Sequence, residues 1–146
     1  MKYSLLLLPL LVLGCVSTQN IPAEDRSRTY DLDYDIVFDA TVQMLAEKGF
    51  AIIDAQRDEG IINTDYRAED RLFSFFSGPT RRKVSALISN TSDGTQILLN
   101  FDLQEFVDQS PGGGDGIFQS QPLTPRVARR YYREFLTALE SYLPEE

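Results

Sequence analysis

Between Thr95 and Val107 the chain alternates: Ile97, Leu99, Phe101 and Leu103 fall on one side, and Asn100, Asp102 and Gln104 on the other. Successive side chains of a strand point to opposite faces, so this run predicts a long strand with one face in a core and one in water. Lys83 to Asn90 precedes it across Ser92-Asp93-Gly94, a sequence suited to a tight turn, and the two runs form a hairpin. Phe50 to Arg57 and Ile61 to Arg67 make a second hairpin around Asp58-Glu59-Gly60, with Ile62, Thr64 and Tyr66 expected on one face. An antiparallel sheet of this kind needs covering on one side only.

The covering comes from two amphipathic segments. Ile36 to Lys48 places Val37, Phe38, Thr41, Val42 and Leu45 on one face and Asp39, Gln43 and Glu47 on the other. Asp33 or Asp35 stands at its N-cap, Gly49 suits a left-handed residue after its end, and Phe50 suits the apolar partner of that cap. Before it, Tyr30, Leu32 and Tyr34 alternate with Asp31, Asp33 and Asp35, which predicts a first strand from Thr29. Thr124-Pro125 opens a last helix that runs to about Tyr142 and stops near Pro144. The expected fold is α+β: two layers in the order β-α-β-β-β-β-α, an antiparallel sheet with both helices packed on one face.

At the start of the chain Lys2 is followed by an apolar run from Leu5 to Leu13, broken only by Pro9, and then by Gly14 and Cys15. That is the layout of a short secretory signal, and Val12-Leu13-Gly14-Cys15 resembles the bacterial lipobox, whose cysteine is acylated and becomes the first mature residue. The run is too short for the roughly 20 residues a membrane span needs. The expected organisation is a lipoprotein signal peptide over 1–14, acylated Cys15 with a flexible tether over 15–28, and one periplasmic domain over 29–146. Val16 stands where an aspartate would resemble an inner-membrane retention signal, so for a Gram-negative source the resemblance implies outer-membrane anchoring.

Composition removes much catalytic chemistry. The chain has no histidine, no tryptophan and one cysteine, which the anchor takes. Serine–histidine, cysteine–histidine and histidine–metal sites are excluded, and a disulfide with them. No cofactor is expected, and the protein is read as non-enzymatic. A net charge of −8 argues against a nucleic-acid partner. Asp31, Asp33 and Asp35 have calcium-loop spacing, but Ile36 replaces the required glycine and Val42 the closing glutamate, so no metal is expected. Gln109 to Gln121, with three consecutive glycines, reads as a long loop; it lacks the lysine and following helix of a phosphate cradle.

Tyr34 entering a helix, Gly49-Phe50, Asp58 to Gly60 before Ile61-Ile62 and Thr64, and a closing aromatic helix resemble helix-grip domains of the BamC type. Those are lipoprotein accessory subunits of the outer-membrane β-barrel assembly machinery. The resemblance covers about residues 29 to 143 and implies an accessory role for a single such domain.

Following strand directions, the connections at 68–82 and 108–123 both lie at one end of the sheet. The first holds Leu72, Phe73, Phe75 and Phe76, then Arg81, Arg82 and Lys83; the last helix begins at the same end with Arg126, Arg129, Arg130 and Arg133. Together they make a candidate interaction surface. The aromatic loop admits three readings: folded inward as a cap on the core, an anchor for another envelope protein, or contact with the bilayer. The arginine stripe is either a solvated helix face or part of that surface. Two functions follow: a membrane-anchored interaction module for an envelope assembly, or a binder of lipid or another apolar small molecule in the groove between helices and sheet.

Overall fold

The computed structural model describes residues 21–69, 78–109 and 116–144. In chain order the elements are α1 (Ala23–Arg26), β1 (Ser27–Tyr30), α2 (Tyr34–Glu47), β2 (Ile52–Gln56), β3 (Ile61–Thr64), β4 (Arg67–Ala68), β5 (Thr80–Thr91), β6 (Gly94–Asp108), β7 (Gly116–Ser120) and α3 (Pro125–Glu140). The fold is α+β, and its sheet is antiparallel throughout. Strand order is β1-β6-β5-β3-β2, with β4 also pairing β5 and β7 also pairing β6. The hairpin of β5 and β6 is the spine, in continuous register from Thr80↔Glu105 to Thr91↔Gly94. Its alternation is that of the sequence: Ile97, Leu99, Phe101 and Leu103 are buried, and Asn100, Asp102 and Gln104 lie on the opposite face.

The two long helices, α2 and α3, pack on the buried face. From α2 come Val37, Phe38, Met44 and Leu45; from α3 come Ala128, Tyr131, Tyr132, Phe135, Leu136 and Leu139. Phe101 sits at the centre, its ring 4.7 Å from that of Tyr132 and 4.8 Å from that of Phe135, the latter edge-to-face. Helix α3 covers the β1 side, where the Tyr30 hydroxyl donates to the Leu136 carbonyl at 3.3 Å. Gly49 ends α2 with φ +82°, the left-handed residue its position predicts. Gly60, φ +71°, closes the β2–β3 turn so tightly that a Cβ there would stand 1.9 Å from the Ile88 carbonyl oxygen. Among the described residues no helix is long and apolar enough to cross a membrane.

Four expectations about elements need correction. The first strand ends at Tyr30 instead of continuing through Tyr34, because its partner runs out: Tyr30 pairs Thr95, and beyond that residue β6 begins its turn at Gly94. Tyr34 is the first residue of α2, and Asp33 occupies the N-cap with no side-chain bond to the helix. Residues 21–28, assigned from sequence to the tether, belong to the packed domain. Ile21 is buried, Asp25 bonds α3, and Ser27 and Arg28 pair with Leu98 and Ile97. The stretch 116–120 is not loop but β7, held along the end of β6 from Asp108↔Gly116 to Gln104↔Ser120.

Tyr66 does not share the inner face with Ile62 and Thr64. Those two are buried, and the Thr64 hydroxyl both donates to the Val84 carbonyl at 3.0 Å and accepts from the Val84 amide at 2.9 Å. That exchange ends β3; the chain then breaks before β4, and the period of two does not carry across the break.

Candidate interaction surface

The helix-free face of the sheet carries an ordered patch where β5, β6 and β7 lie side by side. Cross-strand partners share a face, so the pairs Arg81↔Gln104, Lys83↔Asp102, Gln104↔Ser120 and Phe106↔Phe118 gather on one side. Arg81 is its centre. Its Nε donates to Gln104 Oε1 at 2.9 Å, and its guanidinium stands 3.8 Å from the ring centre of Phe118 and 4.4 Å from that of Tyr66. Phe118 meets Phe106 edge-on at 5.4 Å. The Tyr66 hydroxyl donates to Asp102 and accepts from Gln104 Nε2 at 2.7 Å, while the Ser120 hydroxyl donates to Asp102 Oδ1 at 2.9 Å. Lys83 lies 5.1 Å from the Tyr66 ring.

Burial, then the hydrogen bond to Asp102 and its negative charge, pushes the Tyr66 phenol up to about 12. At neutral pH it is a fixed donor and cannot serve as a base. The patch is therefore a preformed array of rings, one clamped guanidinium and one fully engaged carboxylate.

Arg82 does not belong to this surface. The period of the strand turns it inward with Thr80, Val84, Ala86 and Ile88, and it is 4 % exposed. Its Nη2 bonds Glu69 Oε1 at 2.9 Å, and its guanidinium stands 4.5 Å from the ring centre of Tyr131 and 5.2 Å from that of Phe135. Glu69 also receives Arg67 at 3.2 Å. Burial lowers the Arg82 pKa from its ordinary value, and Glu69 opposes that shift. Among the described residues its Nε and Nη1 have no hydrogen-bond acceptor and face the aromatic rings instead. The run Arg81-Arg82-Lys83 is thus split by the pleat: two cations outside, one inside.

The arginines of α3 form a separate surface on the other layer. Arg126, Arg129, Arg130 and Arg133 are exposed on the outer side of the helix, and Arg129 Nε bonds Asp25 Oδ2 at 2.7 Å. They do not join Arg81 and Lys83, because the sheet and the core lie between. Leu72, Phe73, Phe75, Phe76 and Cys15 lie outside the described residues. The residues that bracket 70–77 are placed: Glu69 bonds Arg82, Gly78 donates to Glu105 Oε1 at 3.3 Å, and Phe106 donates to the Pro79 carbonyl at 2.8 Å. Both long connections therefore depart from the end of the sheet where β7 begins, as strand direction predicts.

The space between the layers is filled. Phe38, Leu45, Phe101, Phe135 and Leu139 are each no more than 3 % exposed. Beside α3 a cavity of about 150 Å³ remains, lined among others by Ile21, Leu103, Leu123, Ala128 and Tyr132. It is about half the size of the smallest usual small-molecule site. At the far end of the domain Arg57 bridges Asp35 and Asp39, so these acids are engaged with a side chain of the protein itself. Among the described residues no group of three or more acids, histidines or cysteines is arranged to hold a metal ion.

No protein-family model and no curated protein matches the chain.

Proposed function

We propose that the chain is a non-enzymatic outer-membrane lipoprotein, anchored through acylated Cys15, whose domain is a periplasmic accessory module that docks another envelope protein. The docking face is the helix-free side of the sheet around Arg81. The observation that carries this reading is the clamp of Arg81 between Tyr66 and Phe118, braced by Gln104. Arginine and large aromatic side chains dominate the energetics of protein interfaces. A patch already held in place by its own hydrogen bonds loses little freedom when a partner seats on it. The filled core favours a surface function over a ligand held between the layers, and the resemblance to BamC-type domains agrees with an accessory role.

A photoreactive side chain at Phe118, activated in native membranes, tests this. One protein adduct of defined mass is expected, and it should disappear when Arg81→Glu is added. Absence of a protein adduct, or an adduct indifferent to Arg81→Glu, refutes docking through this face.

A further inference from the structure

We infer that the outer face of α3 rests on an anionic phospholipid surface, leaving the helix-free sheet face turned toward the periplasm. This orientation deepens the reading above and rests on Cys15 being acylated.

Two independent observations converge on it. The first is where the chain enters the domain. Ile21 lines a small cavity together with Ala128 and Tyr132 of α3 and with Asp102 and Ser120 of the sheet, and α1 is tied to the opening turns of α3 by Asp25 and Arg129. Five residues lie between Cys15 and Ile21, and the six steps from one to the other reach only about 20 Å even when fully extended. A lipid on Cys15 therefore holds the first half of α3, to which α1 is tied, within reach of the headgroups. The opposite layer carries the patch around Arg81.

The second observation is the charge of that half-helix. At 100° per residue, Arg126, Arg130 and Arg133 fall within about 60° of arc, with Arg129 just beside them. The exposed acids of the helix, Glu134 and Glu140, come later, and the first turn contains none. Cations at a helix N-terminus oppose its dipole, so local helix stability does not account for them. Nor does the composition of the chain, whose net charge is −8. Lipid phosphates do: each cation near an anionic leaflet favours association by roughly fivefold. Arg126 and Arg133 alone then bias the orientation by about twenty-fivefold.

The test uses the purified acylated protein in vesicles containing a trace of nickel-chelating lipid. Acylation occupies the one native cysteine, so a cysteine introduced by Thr137→Cys or Ser89→Cys takes a unique spin label. Thr137 lies on the arginine side of α3, and Ser89 is exposed on β5. With about 30 % phosphatidylglycerol, paramagnetic relaxation at position 137 should exceed that at 89. The contrast should vanish in phosphatidylcholine alone, in about 1 M salt, and in the triple variant Arg126→Gln, Arg130→Gln, Arg133→Gln. Unchanged circular dichroism of the triple variant shows that it is folded. Equal relaxation at the two positions, or a contrast indifferent to phosphatidylglycerol and to the arginines, overturns the orientation while leaving the anchor intact. Mass spectrometry of Cys15 and flotation with phosphatidylcholine vesicles read the anchor separately, and an unmodified thiol overturns both.

Discussion

Replacing Glu69 by alanine leaves Arg82 charged, enclosed and without the carboxylate that it bonds among the described residues. The two side chains are 5 % and 6 % exposed, so solvent takes over little of the lost interaction. Removing one partner of a buried pair costs about 3–5 kcal/mol, because the remaining charge is uncompensated. The weaker, partly exposed contact of Arg67 with the same carboxylate adds at most about 1 kcal/mol. For a domain whose total stability is of the order of 5–15 kcal/mol, that is a large fraction. With a urea slope near 2 kcal/mol per molar, the midpoint should fall by about 2 M. Far-UV circular dichroism is the appropriate signal, since the chain has no tryptophan.

Replacing both partners removes the two buried charges together, and methionine at position 82 keeps the bulk beside Tyr131 and Phe135. The double variant Glu69→Leu, Arg82→Met should therefore be more stable than Glu69→Ala alone, by about 2 kcal/mol or more. If Glu69→Ala stays within about 0.5 kcal/mol of the parent protein, or the double variant is the least stable of the series, Arg82 is not enclosed and the reasoning fails.

Thr64→Val strips a buried hydroxyl from the Val84 amide and carbonyl and should cost about 1–3 kcal/mol, whereas Thr64→Ser should recover most of it; urea midpoints of the two variants decide. Gly60→Ala puts a methyl group against the Ile88 carbonyl at positive φ and should lower stability by more than about 1 kcal/mol, measured in the same way, while Gly78, which has no positive φ, is not a substitute control because its own Cβ would meet the Phe106 carbonyl. Alkaline titration should show a further loss. The phenols of Tyr30, Tyr66 and Tyr131 are each pushed up to about 12, chiefly by burial. The unfolded chain ionises near the ordinary value of about 10 and so gives up protons first. These tyrosines contribute stability below pH 10 that is lost as pH rises toward 12. Urea unfolding at intervals across that window should give falling midpoints, and a flat profile refutes the raised values.

Much of the fold is legible in the residues because its strongest elements carry local patterns. The alternation from Thr95 to Val107 gives β6 and its inner face, Gly49 and Gly60 mark real turns with positive φ, and Thr124-Pro125 marks the start of α3. What escapes notice depends on a partner elsewhere in the chain. Gly116–Ser120 is too short and glycine-flanked to declare itself; it becomes a strand by extending the ladder of β6. Ile21 sits among polar neighbours in sequence, and only the packing of α1 against α3 shows it to be core.

The surface residues divide similarly. The period of two that passes through Val84, Ala86 and Ile88 already includes Arg82, so its inward direction is present in the pattern. Hydrophobicity argues against it, and the partner that makes burial tolerable, Glu69, comes from another strand connection. Phe118, Tyr66 and Gln104 form one patch with Arg81 only through the registers of separate strands, which no single stretch of sequence encodes.

One edge of β6 is shared by segments from both ends of the domain: β1 lies against Thr95 to Leu98, and β7 against Gln104 to Asp108. A mechanical pull on the N-terminal chain reaches Ile21 and α1, with their contacts to α3, and then the four rungs of β1. Strain that strips β1 away would bare part of a strand edge and invite a strand from another molecule to replace it. Load applied ahead of Ile21 would thereby be converted into a vacancy along the side of the sheet.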